Sequence, residues 1–82
     1  MKRRLTPQAL ESYLSAPRAI QNAFDKQIRT LVENLRHPSL RSKKYDEKND
    51  RWQARVNRNW RFYCRIIGDT YVIEDIIPHP KK

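Results

Sequence analysis

The sequence predicts an α+β domain in which an N-terminal helical hairpin packs on a three- to four-stranded antiparallel sheet. Three observations carry that reading. Apolar residues recur at helical spacing through the first half, two runs alternate with a period of two in the second half, and the breaks between runs hold turn residues. With 82 residues the chain is expected to form one domain, 1–82, with a small core.

Thr6-Pro7 reads as a helix start, a capping hydroxyl followed by Pro at the first helical position. The short helix it opens carries Leu10, Tyr13 and Leu14 on one face. Ser15-Ala16-Pro17 interrupts it and starts a second helix over residues 17–36, where Ile20, Phe24, Ile28, Leu31 and Leu35 form an apolar stripe. His37-Pro38 ends that helix, because the residue before Pro avoids the helical region. His37 there reads as a cap in preference to a catalytic group. Residues 38–51 are polar, with Arg41, Lys43, Lys44 and Lys48 among acids, and read as a mobile, basic connector. Strands are expected at about 51–57, 60–67 and 70–77, with Leu5 or its neighbours able to add an edge strand.

Strand side chains alternate faces, so Trp52, Ala54 and Val56 point one way and Gln53, Arg55 and Asn57 the other. Trp60, Phe62, Cys64 and Ile66 share one parity; Arg61, Tyr63 and Arg65 share the other. Joining the two apolar sets on one face needs Val56 opposite Trp60, hence a three-residue loop Asn57-Arg58-Asn59 in which an Asn takes the left-handed conformation. That register sets Arg55 opposite Arg61 and Arg51 opposite Arg65. Gly68-Asp69 suits a two-residue type II′ turn pairing Ile67 with Thr70. It would send Tyr71, Ile73 and Ile77 to the core and set Glu74 across from Tyr63, although Val72 and Ile76 also qualify as core residues.

Eighteen Lys and Arg against nine acids give a formal net charge of +9 and a pI near 10.2, which points to a polyanionic partner, nucleic acid or acidic protein. No apolar run approaches membrane-spanning length and no signal peptide is evident, so a cytoplasmic protein is expected. The single Cys64 lies on the apolar parity and reads as a core residue. No Cys/His pair has zinc spacing, and one glycine cannot make a Gly-rich phosphate loop.

Like charges directly opposed across a ladder destabilise it, so stability alone does not place Arg55 against Arg61. The planar guanidinium fork matches phosphate oxygens, and a sheet face of such groups suits a phosphodiester. The plainer reading is a solvated face partly neutralised by Glu74 and the connector acids. Tyr63, between Arg61 and Arg65, either stacks a nucleobase or simply covers the sheet.

Together the core Trp52-Gln-Ala-Arg-Val-Asn-Arg-Asn-Trp-Arg61, the preceding His37-Pro-Ser-Leu-Arg-Ser-Lys-Lys44 and the ending Ile76-Ile-Pro-His79 resemble the RelE/ParE superfamily of bacterial toxins, the toxin halves of type II toxin–antitoxin modules. The resemblance covers residues 17–80. It implies a metal-independent, cofactor-free endoribonuclease that cuts mRNA in the ribosomal A site if the chain follows the RelE branch, or a DNA gyrase inhibitor if it follows the ParE branch. A non-catalytic RNA- or ribosome-binding protein is the alternative from another class. The resemblance assigns Arg61 and Arg55 to charge on the scissile phosphate and His79 to protonation of the leaving oxygen. Lys43, Lys44, Tyr63, Arg65 and Lys81 would bind RNA. The implied protein partner is a cognate antitoxin with an acidic segment. Three departures stand out: Pro80 where many members carry an aromatic residue, little chain before the first helix for the family's edge strand, and no clear general base, with Glu47 and Glu74 the candidates.

Overall fold

The computed structural model describes residues 1–79; Pro80 and Lys81, both singled out from the sequence, lie outside them. The elements run β1 (Lys2–Leu5), α1 (Pro7–Ser15), α2 (Arg18–Glu33), a 3-10 turn (Pro38–Leu40), β2 (Lys43–Asp46), β3 (Arg51–Arg55), β4 (Trp60–Ile67) and β5 (Thr70–Pro78). The α+β class and the helical hairpin are as expected. The sheet is larger and not wholly antiparallel: it has five strands in the order β1-β5-β4-β3-β2, with β1 parallel to β5.

The added strands lie where the sequence is most polar. β1 is an edge strand with Lys2 opposite Thr70 and Leu5 opposite Ile73. β2 occupies the middle of the expected mobile connector and pairs Lys43 with Gln53 and Lys44 with Trp52. Neither Lys-Arg-Arg-Leu nor Lys-Lys-Tyr-Asp carries an apolar alternation, so backbone pairing supplies the strand and charged side chains protect the edges.

In α1, Thr6 Oγ1 accepts from Ala9 N–H at 3.1 Å and donates to the Glu74 carbonyl at 3.3 Å. The helix docks by a different face from the one its apolar residues suggest. Ala9 is buried, whereas Leu10 and Leu14 are exposed. Gln8 Nε2 and Ser12 Oγ donate to Asp75 at 2.9 and 2.7 Å. Close approach to β5 favours the small residue, and hydrogen bonds do the rest. In α2 the stripe behaves as expected: Ile20, Phe24, Ile28 and Leu31 are buried, and the helix ends at Glu33, three residues early.

Phe62 is wholly buried, edge-on to Phe24 at 5.4 Å, with Leu31, Leu40, Ile73 and Cys64 as the other large fully enclosed side chains. Each large one removes enough apolar surface to contribute about 1.5–3 kcal/mol. Burial pushes the Cys64 thiol up to about 12, in keeping with a core residue. Among the described residues no helix is long and apolar enough to cross a membrane.

The two hairpins fix the outer face. Arg51 pairs with Arg65 and Arg55 with Arg61, as the alternation requires, and the Val56 N–H donates to the Trp60 carbonyl at 3.0 Å. The connecting loop uses no left-handed Asn. Instead Asn57 Oδ1 accepts from the N–H groups of Asn59 and Trp60 at 2.8 and 2.9 Å. Gly68, at φ 60°, starts the next turn and Ile67 pairs with Thr70. A bulge then breaks the expected register: Cys64 faces Ile73 but Tyr63 faces Asp75, leaving Glu74 as the extra residue. Ile76 therefore takes the core position expected of Ile77.

Candidate nucleic-acid interface

The sheet face turned away from the helices carries Arg51, Gln53 and Arg55 on β3 and Arg61, Tyr63 and Arg65 on β4. It divides into two electrostatically different ends.

At one end the charge is neutralised. Glu74 Oε1 lies 3.2 Å from Arg51 Nε and Asp46 Oδ2 lies 3.7 Å from its Nη1. Tyr63 meets Tyr45 of β2 edge-on at 5.3 Å across the intervening β3, so its ring packs on another ring as well as lying between two arginines. Lys43 is exposed on this side of β2, opposite Gln53. Lys44 is not part of the face. It sits opposite Trp52 on the helix side, 5.6 Å over that ring, with its Nζ 2.9 Å from Asp50 and 3.6 Å from Glu47. Asp50 raises the Lys44 pKa, and Lys44 lowers that of Asp50. Both carboxylates weighed as general bases, Glu47 and Glu74, are thus engaged with cations.

At the other end Arg41, Arg55, Arg58 and Arg61 gather with no carboxylate of the described residues in ion-pairing reach. Among the described residues none of the four makes an ion pair. Arg55 Nε is buried without a hydrogen-bond partner. Burial, then the guanidiniums of Arg41, Arg61 and Arg58, press the Arg55 pKa below its ordinary value, and a guanidinium remains a cation at neutral pH all the same. Such a cluster is a positive potential waiting for an anion.

Arg61 folds back along the hairpin loop. Its Nη1 donates to the carbonyls of Asn57, Trp60 and Arg58 at 2.9, 3.0 and 3.4 Å. All three contacts use one nitrogen, which braces the fork and leaves Nε and Nη2 with no hydrogen bond among the described residues. His79 stands at the same end: its backbone N–H donates to the Asn59 carbonyl at 2.7 Å, and its side chain is exposed. Ile77 pairs with Arg61, so alternation carried past Pro78 puts His79 on the Arg face. Arg55 and Arg61 are thus brought together, with the His79 backbone at the same end of the sheet, while Arg65 lies at the neutralised end.

Two residues of this end escape the sequence reading. Gln27, buried on α2, donates from Nε2 to the carbonyls of Arg55 at 2.9 Å and Ser39 at 3.0 Å, and its Oε1 accepts from Ser39 Oγ at 3.3 Å. It ties the 3-10 turn to the end of β3. A polar side chain between Phe24 and Ile28 on an otherwise apolar stripe is the signal that marks it. Arg41 follows that turn and was legible only as one basic residue among several. His37 caps the turn, its Nδ1 accepting from the Ser39 N–H at 3.2 Å, as its place before Pro38 suggests.

A sheet edged by short charged strands with a helical hairpin across one face matches a known architecture. The family model described as ParE toxin of type II toxin–antitoxin system, parDE, matches residues 3–81. The chain belongs to the ParE toxin family. This toxin is similar in fold to the YoeB/ParE toxin from Agrobacterium tumefaciens, with a TM-score of 0.81 at 15% identity over 98% of this chain and 100% of the other. It is similar to a chain of the archaeal RelE–RelB complex from Pyrococcus horikoshii OT3, with a TM-score of 0.82 at 16% identity over 99% and 97%. A chain of the intact E. coli RelBE toxin–antitoxin complex gives a TM-score of 0.77 at 11% identity over 98% of each. These likenesses show a shared fold. By sequence, no curated protein matches the toxin. β1 also supplies the edge strand that Leu5 or its neighbours are expected to be able to add in the short stretch before the first helix.

Proposed function

We propose that this toxin is an endoribonuclease that cleaves mRNA in the ribosomal A site, using its own side chains and no metal ion. The observation that carries the reading is the acid-free cluster of Arg41, Arg55, Arg58 and Arg61 beside His79. A phosphodiester seated there meets an Arg61 fork already braced by the loop and an Arg55 whose Nε has no protein hydrogen-bond partner. Preorganised cations facing the scissile phosphate stabilise the charge that develops as the ribose 2′-oxygen attacks phosphorus. The 2′-hydroxyl proton passes to water as His79 protonates the departing 5′-oxygen, which leaves a 2′,3′-cyclic phosphate and a 5′-hydroxyl. Lys43 and, at the neutralised end, Tyr63 and Arg65 extend the contact along the strand.

The same surface accounts for a protein partner. The neighbouring RelE folds were solved in complexes with the antitoxin RelB. An antitoxin with an acidic segment laid over the cluster would steer association electrostatically and block substrate.

The test is purified toxin with a defined mRNA, with and without ribosomes and with EDTA. Ribosome-dependent cuts ending in cyclic phosphate, insensitive to EDTA and lost in His79→Ala, are expected. The ParE description of the matching family favours a second reading, inhibition of DNA gyrase. Supercoiling inhibition with intact mRNA would establish that reading in place of the first.

A further inference from the structure

We infer that Arg41 is a further phosphate-binding residue of this surface, delivered beside Arg55 by the 3-10 turn and not by the sheet. The inference rests on the reading that the acid-free end binds a phosphodiester backbone, and it adds a contact from outside the strands.

Arg41 has φ 44° and ψ 43°, the left-handed region, at the C-terminal end of the turn. Glycine or asparagine takes that conformation at lower cost, and a long basic side chain gives the turn no packing in return. Backbone held in a sparsely populated region persists where the surroundings over-determine it, and such residues gather at ligand sites. The surroundings here do so. Leu40 is wholly buried, Ser42 Oγ donates to the Leu35 carbonyl at 2.7 Å, and Gln27 bonds Ser39 on the turn and Arg55 on the strand. With the residue before it pinned in the core and the residue after it pinned to Leu35, just beyond α2, Arg41 is turned out to solvent next to Arg55. It has no ion-pair partner among the described residues. The arrangement crowds cations in the free protein, and an anion between them relieves it. Two guanidinium forks from separate elements can then hold neighbouring phosphate oxygens.

The experiment measures binding of a fluorescein-labelled single-stranded oligodeoxynucleotide, which offers phosphates but no 2′-hydroxyl, across a salt series. The variants are Arg41→Gly, Arg55→Ala and Arg29→Ala; Arg29 lies on α2 against the opposite, β1 edge. Each lost phosphate contact flattens the plot of log affinity against log salt by about 0.7 for a single strand. Arg41→Gly should flatten it by that amount while its thermal midpoint holds or rises, since glycine suits φ 44°. Arg55→Ala should flatten it too, and Arg29→Ala should leave it unchanged. An unchanged slope in Arg41→Gly with a flattened one in Arg55→Ala would overturn the inference alone. Equal flattening in Arg29→Ala would reduce Arg41 to diffuse charge. No binding, or no change in either site variant, would remove the phosphate surface and the inference together.

Discussion

Replacing Gln27 with methionine isolates the tie between the 3-10 turn and the end of β3, because the substitute keeps the length and helix propensity of the side chain and removes its amide. The two contacts at stake, at 2.9 and 3.0 Å, satisfy the carbonyls of Arg55 and Ser39. The Arg55 carbonyl has no obvious substitute. Val56 and Trp60 form the hydrogen-bonded pair with β4, so the backbone groups of Arg55 point away from β4. β2 pairs only as far as Lys43 opposite Gln53 and stops short of it. Stranding each carbonyl costs about 1–3 kcal/mol. Both sites are partly buried, which favours the low end, and the thioether regains roughly 1 kcal/mol by burial. The net expected loss is about 1–2 kcal/mol, a drop of roughly 4–16 °C in the thermal midpoint of a domain this size. Thermal and urea unfolding, followed by the fluorescence of Trp52 and Trp60, would measure it. A loss below about 0.5 kcal/mol would refute the reasoning, since it would mean that water replaces the amide without penalty.

Other substitutions probe the remaining parts. Arg61→Ala relieves repulsion opposite Arg55 but loses the brace on the hairpin loop, and the brace should win by about 1 kcal/mol; a raised midpoint in a thermal melt would reverse that order. Trp60→Ala should cost about 2–3 kcal/mol in chemical denaturation, below the full aromatic truncation because the ring is half-buried. A fully stable variant would contradict its packing on the core. The native Cys64 thiol should resist a disulfide reagent at pH 8 and react on unfolding, and fast labelling would contradict its burial. Its pKa is raised to about 12, so the folded protein keeps a proton that the unfolded chain releases from about pH 8.5 upward. Stability should therefore fall between those two values as pH rises, which a pH series of urea midpoints checks.

Much of this architecture is legible in the sequence because side-chain periodicity and backbone geometry agree. The α2 stripe and the β3–β4 register are fixed by which residues must be dry, and the opposed pairs Arg51–Arg65 and Arg55–Arg61 follow without further information. What escapes is whatever backbone pairing decides alone. β1 and β2 carry almost no apolar alternation, and the bulged Glu74 has its carbonyl met by the Thr6 hydroxyl, 68 residues away in sequence. The direction of α1 is hidden for a similar reason: Ala9 turns inward because it is small, and Leu10 stays outside. Within the site, alternation assigns Arg55 and Arg61 to one face, but no period reports that Glu74 neutralises one end, that Lys44 turns to Trp52, or that a left-handed turn brings Arg41 to the other.

The central claim is tested most directly by primer extension on a reporter mRNA in cells induced for the wild type, Arg55→Ala or His79→Ala. New ends inside the translated region, present for the wild type and absent for both variants at equal protein levels, are the predicted result. Growth arrest with no new RNA ends, or cleavage undiminished in both variants, would contradict it.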